Sequence, residues 1–287
     1  MIEKTNKIKN SMSLKAYIKN KAMENKIPAQ LVMQNYMLER LLERISLSKY
    51  QKNIILKGGF LISTIVGIDS RTTMDLDTTI KGLPLTKELV NDIFFEICQI
   101  DVQDNISFNI RKIAEIREQD EYSGVRVFLD AIYPPLNVQL SVDVTAGDKI
   151  TPKEIEYSFK MMFDERNINV LAYNLETILS EKLETILSRG KANTRPRDYY
   201  DVYILYTLYK NKIDFDMLFK AISSTCSRRG SLKILEIYKT RMDEVEKDSE
   251  MNKLWDNYEK NFEYAKGIKF KDICNIVVDI FDGICSV

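Results

Sequence analysis

Asp75 and Asp77 are the residues whose types and spacing say most about chemistry in this sequence. They lie two positions apart in Thr73-Met74-Asp75-Leu76-Asp77, a segment that reads as a strand. Side chains at i and i+2 of a strand point the same way, roughly 7 Å apart along it. Asp75, Asp77 and Thr73 are therefore expected on one face, with Met74 and Leu76 on the other. Two neighbouring carboxylates repel each other unless a cation lies between them, and hard divalent cations take oxygen ligands. Just upstream, the apolar run Ile54-Ile55-Leu56 meets the pair Gly58-Gly59, and a short apolar helix is expected to follow. Glycines opening a helix leave backbone N–H groups able to face an anion, which the helix dipole also favours. A phosphate cradle beside paired carboxylates implies metal-assisted phosphoryl or nucleotidyl transfer. Each motif alone has a plainer reading, as a solvated pair or a turn. Their order within one strand–helix–strand unit favours the chemistry.

Composition narrows the alternatives. A chain of 287 residues suggests one large domain or two, with room for a sizeable core. The 45% hydrophobic and 29% charged content is that of an ordinary soluble globular protein. Lys plus Arg equals Asp plus Glu at 42 each, so any nucleic-acid contact must rest on a local patch. No apolar run approaches the roughly 18 residues of a membrane span, and no signal-peptide core opens the chain, so a cytoplasmic location is expected. Cys98, Cys226, Cys274 and Cys285 have neither zinc-site nor paired spacing, and reduced thiols are expected. Histidine is absent, which removes Ser-His and Cys-His nucleophiles, His-ligated zinc and imidazole acid–base work. Carboxylates, lysines and a metal are left to carry any catalysis.

The surrounding elements follow from periodicity and punctuation. Residues 11 to 49 read as two helices broken at Pro28, the second a packing helix over about 29 to 46. Gly82 and Pro84 end the Asp-x-Asp strand, and 86 to 100 reads as a helix. Alternation around Ile106–Ile110 and Val125–Leu129, with a polar stretch at Glu118–Gly124, predicts a hairpin. Along Asn137–Val144, Val138, Leu140, Val142 and Val144 share one face, and Gln139, Ser141 and Asp143 the other. Asp143 reads either as an exposed strand aspartate or as a further site carboxylate. From Asn174 onward the chain is helical. On the wheel of 174 to 189, Lys182 lies inside the stripe of Ile178, Leu179, Leu183 and Ile186, while Glu181 and Glu184 lie outside it. Such a lysine either snorkels to water or meets an anion. The loop from Arg189 to Arg197 carries four basic residues and no acid, and Pro196 suits the first turn of the next helix. There Asp198 and Asp201 share a face with Val202, Leu205 and Leu208, and the helix dipole gives them a plain explanation. Beyond residue 210, Asp214 suits a helix cap, and Trp255, Tyr258, Ile273, Val277 and Ile280 read as bundle core.

Lys57-Gly58-Gly59 followed by Arg71-Thr72-Thr73-Met74-Asp75-Leu76-Asp77 resembles the signature of the AbiEii/AbiGii toxin family, nucleotidyltransferase-like toxins of abortive-infection, type IV toxin–antitoxin systems. Leu140-Ser141-Val142-Asp143-Val144 with Gly147-Asp148 resembles that family's third-strand motif. Glu181-Lys182-Leu183 and Arg197-Asp198-Tyr199-Tyr200-Asp201 resemble its lysine helix and the Arg-Asp-x-x-Asp element after it. Gly59 departs from the Gly-Ser common in the superfold and removes one hydroxyl contact to phosphate. The resemblance implies an α+β fold: a nucleotidyltransferase-type mixed sheet with flanking helices over 1–165, and a C-terminal helical domain over 166–287, with the active site in the cleft between. It implies that Asp75, Asp77 and Asp143 hold one or two Mg²⁺ ions. Lys57, Gly58, Gly59, Arg71, Lys182, Arg197 and Asp201 would bind the NTP, and Lys182 and Asp198 would act in catalysis. The implied acceptor is RNA, in particular the tRNA 3′ end, and the implied partner is an antitoxin encoded alongside that need not touch the toxin. A small-molecule, antibiotic-type nucleotidyltransferase and a catalytically inactive nucleotide-binding module are the competing readings. The first would call for an acidic acceptor pocket in place of the basic loop, and retention of all three aspartates argues against the second.

Overall fold

The computed structural model describes residues 8, 10–116 and 124–285. The chain forms two compact units, Met1–Asp148 with Ile155–Ala172, and Lys149–Glu154 with Tyr173–Val287. The division is not a single cut, because residues 149–154 belong with the helices that follow and 155–172 with the sheet that precedes.

In the first unit, Asn10 opens α1 (Ser11–Asn25) with a reciprocal capping box with Ser13. Pro28 is the N-cap of α2 (Ala29–Leu47). Then come β1 (Ile54–Lys57), α3 (Gly58–Val66), β2 (Asp75–Ile80) and α4 (Lys87–Cys98). The expected hairpin is β3 (Ser107–Ile116) with β4 (Gly124–Tyr133); its turn, but for Gly124, lies outside the described residues. β5 (Leu136–Ala146), β6 (Ile155–Lys160) and β7 (Asn167–Ala172) follow. Among the described residues these strands form one seven-stranded sheet in the order β3-β4-β5-β2-β1-β7-β6. It is mixed: β2 runs parallel to β5 and β1 parallel to β7, and the other pairs are antiparallel. The architecture is α+β, as expected.

The packing helix α2 has one feature that periodicity hides. Beside the apolar Val32, Leu38, Leu41 and Leu42 it buries Glu39, Arg40, Glu43 and Arg44. Arg44 forks onto Asp104 (2.8 and 3.0 Å) and donates to the Ile106 carbonyl (2.6 Å), and Arg40 pairs with Glu39 and Glu43. Charges this deep persist only because each is paired and hydrogen-bonded. The same helix positions the site, since the Asn35 amide donates to the Thr73 carbonyl (2.8 Å) just before β2.

The second unit is helical: α5 (Leu175–Arg189), α6 (Pro196–Tyr209), α7 (Phe215–Arg228), α8 (Ile234–Glu246), α9 (Ser249–Asn261) and α10 (Phe270–Cys285). Asn174 caps α5, and its amide ties in 149–154 through the carbonyls of Thr151 and Lys153 (2.8 and 3.0 Å). Pro196 sits in the first turn of α6 and Asp214 caps α7, as their positions in the sequence predict. Glu184 departs from its expected place outside the apolar stripe. It is buried because Arg229 (2.5 Å) and the Ser231 hydroxyl (2.8 Å) reach it from the end of α7.

Candidate active site

Strand register builds the carboxylate face of the first unit. Asp77 of β2 lies opposite Asp143 of β5, and Asp75 opposite Ser141. Lys57 of β1 lies opposite Asp77, and Arg126 of β4 opposite Asp143. Paired residues project to the same face, so Arg126, Asp143, Asp77 and Lys57 form one row across four adjacent strands about 4.8 Å apart. Asp75 and Ser141 occupy the next row. β2 begins at Asp75, so Thr73 and Met74 precede the ladder, and Met74 is 51% exposed while Leu76 is fully buried.

The glycine turn is fastened to this face. Gly58 opens α3 with φ of +65°, a left-handed conformation that side chains rarely adopt. A Cβ there would lie 2.6 Å from both Cβ and Cγ of Asp77. The Gly59 N–H donates to Asp77 Oδ2 at 3.2 Å, so this amide meets a carboxylate of the chain itself. Arg71 is buried beside the turn, donates to the Thr72 carbonyl, and places Nη2 2.9 Å from where a Gly59 Cβ would be.

Each carboxylate has a partner. Asp75 accepts from the Ser141 hydroxyl. Both oxygens of Asp143 accept from Arg126, through Nε (2.6 Å) and Nη2 (2.8 Å). Lys57 Nζ meets Asp148 Oδ2 at 2.5 Å, where the Thr145 hydroxyl also donates (2.8 Å). Burial would raise the Asp148 pKa, but the Lys57 charge and these hydrogen bonds outweigh it and hold the carboxyl at about 2. The Asp143 carboxylate raises the Arg126 pKa, chiefly through the paired hydrogen bonds, with smaller contributions from Asp75 and Asp77. Asp75 and Asp77 are hard oxygen donors side by side, which suits a divalent cation that completes its shell with substrate phosphates and water. Among the described residues, no group of three or more His, Cys, Asp or Glu side chains is arranged to hold a metal ion.

A second polar cluster lies in the helical unit. Lys182 Nζ meets Asp198 Oδ1 at 2.6 Å and Asp201 Oδ2 at 2.9 Å, with both aspartates buried. Asp198 Oδ2 is buried with no hydrogen-bond partner, an arrangement that native proteins keep rare. The lysine in the apolar stripe thus meets anions of its own unit. Arg197 is exposed and outside this cluster, as are Arg189, Lys191 and Arg195 of the basic loop.

Of the residues singled out in the sequence, the first unit gathers Lys57, Gly58, Gly59, Arg71, Asp75, Asp77 and Asp143, and the second gathers Lys182, Asp198 and Asp201. Sequence reasoning missed Arg126, whose signal was a charge on the polar side of an alternating strand, and assigned no role to Asp148. A groove of about 790 Å³ lined by α4 and β3, including Phe95, Phe108 and Arg111, contains none of these residues.

A glycine turn feeding an apolar helix, an Asp-x-Asp strand and a mixed sheet define a nucleotidyltransferase-type α+β protein. A candidate nucleotidyltransferase from H. pylori shares the fold: TM-score 0.51 at 12% identity, covering 91% of this chain and 98% of that one. JHP933 from Helicobacter pylori (TM-score 0.48, 14% identity, 90% and 94% covered) and an antigenic nucleotidyltransferase-like protein from Paracoccidioides brasiliensis (0.40, 14%, 68% and 90%) are more distant in shape. No curated protein matches the sequence. The family model for the AbiEii toxin, a nucleotidyl transferase of type IV toxin–antitoxin systems, matches residues 40–275, and the chain belongs to that family. Membership implies an antitoxin as partner. No helix among the described residues is long and apolar enough to cross a membrane.

Proposed function

We propose that this chain transfers a nucleoside monophosphate from an NTP to an RNA acceptor, the 3′ end of a tRNA, and thereby arrests growth. The observation that carries the reading is the register that sets Asp75 and Asp77 on one sheet face against the Gly58-Gly59 turn. Family membership supports the transferase chemistry, and the resemblance supplies the acceptor. Asp75 and Asp77 are the side chains that would hold Mg²⁺, which when bound neutralises charge on the triphosphate. The acceptor hydroxyl oxygen bonds to the α-phosphorus, its proton passes to a carboxylate of this face, and the bond to the bridging oxygen breaks to release pyrophosphate. Such a step rests on positioning and charge neutralisation, which suits a chain without histidine. Lys182 and Asp198 are proposed to serve the same reaction. The buried Asp198 Oδ2, which accepts no hydrogen bond, supports this, since it is an atom that a bound substrate could satisfy.

The test is incubation of the purified protein with each α-labelled NTP, Mg²⁺ and either total tRNA or aminoglycosides. Label on tRNA, lost in Asp75→Ala and Asp77→Ala, is expected. Label on the drug would replace the acceptor with a small molecule, and no label on either would leave a nucleotide-binding module.

A further inference from the structure

The row across the sheet places two anions between two cations: Arg126, Asp143, Asp77, Lys57. Its two ends are cations, and each is already matched. Lys57 is paired with Asp148, and Arg126 grips both oxygens of Asp143 side-on. A bidentate guanidinium–carboxylate pair is among the stronger arrangements open to either group, and it takes one lone pair from each Asp143 oxygen, so a metal has to compete with Arg126 for this carboxylate. Asp143 is 6% exposed, whereas the Arg126 side chain keeps 35% of its surface open. A guanidinium has five N–H donors in a fixed fork, and the pair with Asp143 uses the Nε edge and one Nη2 hydrogen. The rest of the fork lies on the face that carries Asp75 and Asp77, whose charges it feels.

We infer that Arg126 is a nucleotide-binding residue: it keeps Asp143 off the metal, is aimed by it, and presents its remaining N–H donors to the NTP triphosphate. This rests on the proposed nucleotidyl transfer and refines its site. The divalent ion is then held by Asp75 and Asp77, and Asp143 serves to orient an arginine.

The test is calorimetric titration of the full-length, nucleotide-free protein with Mn²⁺ alone, then with the α,β-methylene analogue of each NTP. Asp143→Asn is expected to bind Mn²⁺ within about twofold of wild type, whereas Asp75→Asn weakens it tenfold or more. Arg126→Met should bind Mn²⁺ more tightly, because it releases a carboxylate beside the pair. It should bind every analogue about tenfold more weakly or worse, as expected for a lost charge-assisted hydrogen bond, with Arg126→Lys in between. Because either single change strands a charge, the double variant Arg126→Met with Asp143→Leu is titrated as well, with thermal melts of all variants. It should keep wild-type Mn²⁺ affinity and lose the analogues. The inference is overturned if Asp143→Asn or the double variant loses Mn²⁺ as Asp75→Asn does, or if Arg126→Met binds all analogues normally. Those outcomes leave nucleotidyl transfer standing. A wild-type protein that binds neither Mn²⁺ nor any analogue sinks both.

Discussion

Replacing Gly58 by alanine tests how the turn and the Asp-x-Asp strand depend on each other. Two separate penalties are readable from the backbone. A side chain held at φ of +65° costs about 1–2 kcal/mol. The new Cβ would also stand 2.6 Å from Asp77 Cβ and Cγ, atoms too close to the β2 backbone to swing aside, and overpacking of this kind costs about 1–3 kcal/mol. Together they come to about 3 kcal/mol, or about 6–12 °C in Tm for a unit of this size. Gly82→Ala is the control within the same unit. Its φ is +75°, but the nearest atom to a Cβ is Asn53 Nδ2 at 3.7 Å, so only the conformational penalty applies, about 1.5 kcal/mol or about 3–6 °C. Calorimetry measures the melts, and Mn²⁺ titration reads the site. If the alanine pushes Asp77 off its place, Gly58→Ala weakens Mn²⁺ at least tenfold and Gly82→Ala leaves it alone. Coincident melts for the two variants, or wild-type Mn²⁺ affinity in Gly58→Ala, would refute the claim that the turn is sterically locked to Asp77.

Three further outcomes follow from the same geometry. Lys182→Met strands two buried aspartates and should destabilise the chain by about 3–5 kcal/mol, with Lys182→Met/Asp198→Asn/Asp201→Asn recovering most of it in urea unfolding. A recovered melt without recovered transfer would separate catalysis by the Lys182–Asp198–Asp201 cluster from its structural duty. The Asp148 carboxyl, held at about 2 against an ordinary 3.8, contributes about 2 kcal/mol of stability at neutral pH. Because the folded-state pKa is the lower one, this contribution is complete above about pH 5 and fades as pH falls toward 2. The stability gap between wild type and Asp148→Asn in urea should therefore close on acidification, and a constant gap would contradict the ion pair. Burial raises the thiol pKa of Cys98 and Cys226 to about 11 and of Cys274 to about 12, so at pH 8 only exposed Cys285 should react with Ellman's reagent before unfolding, and all four after.

What the sequence disclosed follows the range of the forces involved. Pro28, Asn174, Pro196 and Asp214 mark helix starts through local backbone chemistry, and all of them do so in the structure. The Asp-x-Asp strand and the alternation of β5 were legible for the same reason. Sheet order was not, because no local pattern says that β2 pairs with β5 across an intervening helix and hairpin. β6 and β7 are short, and went unread although Ile168, Val170 and Ala172 alternate inward on β7. Burial of charge was the other blind spot. Arg44 is stabilised by Asp104 and Glu184 by Arg229, partners far along the chain, so a wheel that sorts residues into apolar and charged places both wrongly. The same reasoning hid Arg126, whose meaning depends on Asp143 being opposite it.

Gly59 and Arg71, both part of the same signature, are fitted to each other. In a Gly-Ser turn the second residue has a Cβ and a hydroxyl at the mouth of the helix. Here that volume is taken: Arg71 Nη2 would lie 2.9 Å from such a Cβ and Thr73 Oγ1 3.2 Å from it. The first is closer than real Cβ atoms come, and Arg71, at 1% exposure, has little room to retreat. A side chain at position 59 would therefore have to displace the Arg71 guanidinium, whose fixed positive charge stands behind the turn. Glycine at position 59 is thus matched to the arginine packed behind the turn.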